Sequence, residues 1–134
     1  MLKEPCGKLV KNLAQAVIDT KILVALMVDD GKNHKQAMRI WEETTKALVP
    51  TVVLFELAFF LVKYNLSLEI LEKVVTNPKI EVISNNLDDV LYLTWYAKNV
   101  KYYDDLGDIL ILSVSKRLGI EIKTFDRKLG SVDI

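Results

Sequence analysis

The 134-residue sequence has one cysteine, Cys6, and one histidine, His34. A lone cysteine makes no internal disulfide, and one of each leaves no Cys/His spacing for zinc, so a reducing, cytoplasmic setting is expected. Net charge is missing as well. Eighteen Lys and Arg balance eighteen Asp and Glu, so no overall field draws the chain to nucleic acid or an anionic membrane, and such a partner must be held locally. Long apolar runs are also missing: the stretch from Ala47 to Val62 contains Pro50 and Glu56 and falls short of the roughly 20 residues that span a bilayer. Lys3, Glu4, Lys8 and Lys11 interrupt the N-terminal stretch, so no secretion signal is expected there. Five glycines and three prolines, with no repeat or linker, leave few places for a domain boundary.

What is present is a 51% hydrophobic composition, enough to bury a core. Residues 1–15 carry no convincing period and form a leader of open order, and 16–134 are expected to form one domain. From Ala16 onward, β-leaning stretches alternate with helical ones. The strand candidates are Ala16–Asp19, Ala47–Val49, Ile80–Ser84 and Ile120–Thr124. The helix candidates are Ile22–Val28, Asn33 to about Lys46, Thr51–Tyr64, Leu68–Thr76, Asn86–Asn99 and Asp105–Leu118. The second is expected to carry a capping box at Asn33 and Gln36 and an apolar side of Ala37, Ile40, Trp41 and Leu48. Pro50 suits a helix entry, Asn86 a cap, and Gly119 a left-handed terminator. The order βααβααβααβ predicts a three-layer α/β/α sandwich around a parallel sheet of four or five strands, with ligands at the strands' carboxyl ends.

Four carboxylates stand where charge is disfavoured. Asp19 closes the first strand, and taken alone it reads as a helix cap. Glu56 is the one charge between Lys46 and Lys63; a helix so apolar is expected to be buried, where an unpaired carboxylate costs several kcal/mol. The alternative places Glu56 on an exposed strip. Asp108 falls in the first turn of its helix, with Asp105 three residues earlier at the N-cap spacing, and acids there suit the helix dipole. Asp126 follows the last strand, where a lone Asp makes a turn or cap.

In a parallel sheet, however, Asp19 and Asp126 reach the same edge, and helices starting there carry Glu56 and Asp108. Two carboxylates about 5 Å apart repel by roughly 3 kcal/mol at an effective dielectric of 20. Oxygen donors of this kind suit Mg²⁺ or Mn²⁺, and ions so held can activate water against a phosphodiester.

These residues resemble the PIN domains, and most closely the VapC-type toxin ribonucleases of toxin–antitoxin pairs. Val17-Ile18-Asp19-Thr20-Lys21-Ile22-Leu23 resembles the family's opening block and Pro50-Thr51-Val52-Val53-Leu54-Phe55-Glu56-Leu57 its second. Residues 107–119, from Gly107-Asp108-Ile109 to Gly119, resemble the third, and Ile122-Lys123-Thr124-Phe125-Asp126-Arg127-Lys128-Leu129 the fourth. The resemblance implies a Mg²⁺- or Mn²⁺-dependent endoribonuclease with Asp19, Glu56, Asp108 and Asp126 as metal ligands, and Thr20 and Thr124 in support. It also implies a small antitoxin partner and a homodimer. The leader is longer than usual, and Asp104-Asp105 adds acids, which makes Asp105 a candidate to substitute for or assist Asp108. A PIN-like module that binds RNA or protein without cutting is the alternative. Phospho-acceptor receiver domains are disfavoured, because Ser84-Asn85-Asn86 stands where they need an Asp after the third strand.

Without the four ligands, fourteen acids face eighteen bases, a balance that suits a polyanion. Arg127 and Lys128 are the candidate RNA contacts, while Lys116 and Arg117 read as a solvated helix end. Tyr92, Tyr96, Tyr102 and Tyr103 are of a type that stacks bases, though most are expected in the core or a subunit contact. His34 reads as a polar ring at a helix start, and Asp29, Asp30 and Gly31 as a loop.

Overall fold

Strands with both faces covered read as unbroken apolar runs, and two segments here do so. In the computed structural model, which describes residues 14–28, 31–97 and 103–125 (the side chains of 103 and 104 excepted), β1 spans Gln15–Ile18 and β2 spans Lys46–Pro50. Ala16, Val17 and Ile18 are buried, as are Ala47, Leu48 and Val49. The shorter β3 (Ile80–Ile83) and β4 (Ile122–Lys123) flank them in the order β3-β2-β1-β4, every pairing parallel. Among the described residues six helices connect these strands: α1 (Thr20–Met27), α2 (Lys32–Glu43), α3 (Thr51–Lys63), α4 (Glu69–Val75), α5 (Leu87–Tyr96) and α6 (Tyr103–Leu118). The βααβααβααβ order is the one expected from the sequence.

The chain moves outward from β1 through β2 to β3 and then returns to pair β4 on the other side of β1. The order therefore reverses beside β1, and the crevice at the carboxyl ends of β1 and β4 is the position such a sheet offers a ligand.

Several boundaries differ from those read in the sequence. Helix α2 ends at Glu43, because Thr44 turns extended (ψ 125°) and its hydroxyl bonds Ile40 O at 2.7 Å. Lys46 thus enters β2, and Leu48 belongs to that strand rather than to the helix's apolar side. The capping box at Asn33 and Gln36 does not form: Gly31 precedes the helix at φ 84°, with no side-chain cap bond. Asp105 is not an N-cap, since α6 already begins at Tyr103. Asn86 does cap α5, in a reciprocal box with Asp89, and Gly119 ends α6 at φ 66°.

Helix α3 is not enclosed on nearly every side. Val53, Leu57 and Leu61 repeat every four residues on a fully buried stripe, while Phe55, Phe59 and Val62 are 65, 74 and 65% exposed. The buried stripe contributes about 1.5–3 kcal/mol per side chain and fixes the helix against α1 and α6. The direction in which Glu56 projects follows from that anchoring.

Candidate active site

Asp19 is the residue at which β1 ends, and extended dihedrals (φ −86°, ψ 170°) make it the N-cap of α1. Its Oδ1 accepts from Ile22 N at 3.1 Å, and the residue is 3% exposed. The capping and functional readings are therefore compatible, because the carboxylate that accepts from the Ile22 amide also borders a cleft. Thr20, one residue on, donates its hydroxyl to Glu56 Oε1. Glu56, half-buried, sits beside the inner stripe of α3, and its carboxylate rests against the bare backbone of Gly107 in α6. Asp108 follows at once, half-buried.

Asp19, Glu56 and Asp108 line one cleft of about 470 Å³. Thr20, Lys21 and Asn33 supply its remaining polar wall, and Phe59, Phe60 and Phe125 contribute aromatic surface. A second cleft of equal volume lies among Met27, Met38, Trp41, Ile70 and Val74 and has no carboxylate in its wall. Of the two, only the first has the groups for acid–base or metal chemistry.

Three of the four acids singled out in the sequence thus meet. Asp126 lies outside the described residues, as do Arg127, Lys128 and Tyr102; the side chains of Tyr103 and Asp104 are likewise outside. Asp105, one helical turn before Asp108, is not in the cleft wall, and neither is Thr124, half-buried just after β4. The donor set is all oxygen and suits a hard divalent cation. Among the described residues, however, no three acidic, His or Cys side chains draw together closely enough to enclose an ion.

The basic residues sort differently from the sequence reading. Arg117 is exposed at its helix end, as expected, but it is also tied down: it pairs with Asp89 Oδ2 at 3.0 Å and bonds Ser84 O at 3.3 Å. Lys123 pairs with Glu121 at 3.2 Å. Lys21, not singled out in the sequence, stands in the cleft wall; its adjacency to Thr20 was the available signal. Tyr92 and Tyr96 pack against each other at 4.5 Å between ring centroids, and neither lines the cleft. His34 Nδ1 bonds Ala25 O at 2.7 Å, tying α2 to α1.

Asp89 was missed as a buried acid. It has no exposed surface and accepts from Ser113 Oγ (2.6 Å), Asn86 N (2.9 Å), Arg117 and Asn85 Nδ2 (3.1 Å). Burial alone pushes its pKa up, but the bonds from Ser113, Arg117, Asn86 and Asn85 together outweigh this and hold the carboxyl below its ordinary value. Asn85 continues the network to the start of α3, where its Oδ1 accepts from Val52 N at 2.8 Å and Thr51 Oγ1 at 3.1 Å.

Comparison with known proteins agrees with this fold. The PIN domain family model matches residues 16–134. Among solved structures, the toxin VapC20 of Mycobacterium tuberculosis, reported as cleaving the sarcin-ricin loop, superposes with a TM-score of 0.72 at 16% identity, over 88% of this chain and 96% of that one. A toxin–antitoxin complex from Klebsiella pneumoniae gives 0.63 at 20% identity, over 87% and 90%. At such identities the likeness is one of fold. No curated protein matches the sequence.

Proposed function

This chain belongs to the PIN domain family, and on that footing we propose that its acidic cleft is the active site of a Mg²⁺- or Mn²⁺-dependent endoribonuclease, the toxin of a toxin–antitoxin pair. The observation that carries the reading is the meeting of Asp19, Glu56 and Asp108 in one cleft at the switch point of the sheet. When bound, the divalent ion supplies the positive charge that neutralises a scissile phosphate and acidifies water for in-line attack. Asp19, Glu56 and Asp108, with Asp126, are the oxygen donors that would hold it. Thr20 orients Glu56 through their hydrogen bond, and the Ile22 amide fixes Asp19. Lys21 at the wall offers charge to a flanking phosphate. Arg127 and Lys128 are our further candidates for RNA contact from the sequence, and Thr124 our candidate for a supporting hydroxyl.

The RNA-cleaving description of VapC20 and the antitoxin in the Klebsiella complex support the substrate class and a small antitoxin partner. The exposed apolar stripe Phe55, Phe59 and Val62, whose Phe59 also borders the cleft, supports a second chain on α3, which we take to be a homodimer. The alternative reading is a PIN-like module that binds RNA or protein without cutting. Two measurements separate the readings. In the nuclease, Mn²⁺ raises the melting temperature, and Asp19→Asn abolishes RNA cleavage while the protein still folds. A wild type whose melting ignores both Mg²⁺ and Mn²⁺ would exclude the metal site, and undiminished cleavage by the variant would remove Asp19 from the chemistry.

A further inference from the structure

Gly107 lies inside α6, where glycine weakens a helix relative to alanine. No unusual backbone conformation asks for it: among the described residues the glycines at positive φ are Gly31 and Gly119. Nor does tight backbone packing between α3 and α6 explain it. The three heavy atoms nearest to a Cβ built at this position all belong to the carboxylate group of Glu56: it would overlap Oε2, stand 2.9 Å from Cδ and 3.5 Å from Oε1. From the other side, Thr20 donates its hydroxyl to Oε1. The carboxylate is thus held between a hydroxyl and a stretch of helix stripped of its side chain.

We propose that Gly107 is a positioning residue: its missing side chain forms the seat of the Glu56 carboxylate and so fixes how that group stands beside Asp108 in the cleft. The proposal rests on the metal-nuclease reading for its consequence, a contribution to divalent-ion affinity, but the seat itself is tested without metal. A methyl group at 107 meets the flexible end of Glu56 rather than its backbone, so the side chain swings aside and leaves Thr20 while the fold survives. The helix meanwhile gains the propensity of alanine.

The test is a cycle of wild type, Gly107→Ala, Glu56→Ala and the double variant, melted by calorimetry in metal-free buffer. In the Glu56→Ala background, Gly107→Ala should raise the melting temperature by roughly 3–5 °C, the helix-propensity gain alone. In the wild-type background the gain should be smaller by about 2 °C or more, because the bond to Thr20 is lost. Equal shifts in the two backgrounds would overturn the seat. Mn²⁺ titration then reads the consequence: Gly107→Ala should weaken binding about tenfold in the wild type, as loss of a ligand-orienting contact does. It should weaken binding far less in the Glu56→Asp background, whose shorter side chain does not reach the added methyl. Unchanged Mn²⁺ affinity in Gly107→Ala would overturn the positioning role. A wild type that binds no Mn²⁺ while the metal-free cycle stays non-additive would sink the nuclease reading and leave the seat standing.

Discussion

Asp19 and Asp89 are both carboxylates without appreciable exposed surface, both at the start of a helix, and they use their burial for different ends. Around Asp89 the structure gathers a guanidinium, a hydroxyl and amide donors, so the charge is matched and the group joins α5 to α6. Asp19 takes its cap bond from a neutral backbone amide and faces a cleft whose wall holds two more acids, Glu56 and Asp108. Burial of an acid therefore says little about its role; the sign of its surroundings says more. A network that balances itself contributes to the fold, whereas acids brought together at a switch point suit a cation from solution.

The contrast can be broken most directly at Asp89. Asp89→Ala removes the acceptor shared by Ser113, Asn85, Asn86 and Arg117 and is expected to cost about 2–3 kcal/mol in urea unfolding, chiefly through the donors left unsatisfied, since Arg117 can turn to solvent. A loss below about 1 kcal/mol would show that the network does not hold the helices together.

Acid should reach the same network. The folded-state pKa of Asp89 lies below its ordinary value, near 3.9 in an unfolded chain, so its stabilisation is complete above that value and is lost as pH falls through the lower, folded one. The acid limb of a melting-temperature profile should therefore flatten in Asp89→Asn. An unchanged limb would assign the acid sensitivity to other groups.

Arg117→Lys keeps the charge but not the planar fork that reaches Oδ1, Oδ2 and Ser84 O, and about 1 kcal/mol should go with it. The smallest effect is expected at Asp19 itself. Asn caps a helix as well as Asp does, so Asp19→Asn should change stability by only a few tenths of a kcal/mol while it removes cleavage. A stability loss as large as that of Asp89→Ala would erase the distinction between the two acids.

The parts of the fold legible in the sequence were those written in neighbouring residues. Val17-Ile18-Asp19 carries a strand, its end and a cap within three positions, Pro50 marks the entry to α3, and Gly119 the exit from α6. Asp19, Glu56 and Asp108 could be brought to one edge because a parallel sheet permits little else. What escaped depends on distance along the chain. Asp89 reads as an ordinary first-turn acid until Ser113 and Arg117 arrive from 24 and 28 residues away. Gly107 is silent until Glu56 comes to rest on it. The exposed face of α3 escaped for another reason: a helix apolar all round does not record which side the rest of its own chain covers. Asn33 and Gln36 had the right spacing for a box, but the positive-φ turn at Gly31 started the helix two residues too early for it.

The two regions set against each other meet in the primary amide of Asn85. Its oxygen is bolted to the first turn of α3, the helix that presents Glu56, and its nitrogen to Asp89. A change at this joint loads the ion pair and the helix carrying Glu56 together, so mutations there cannot be sorted into those that harm folding and those that harm the cleft.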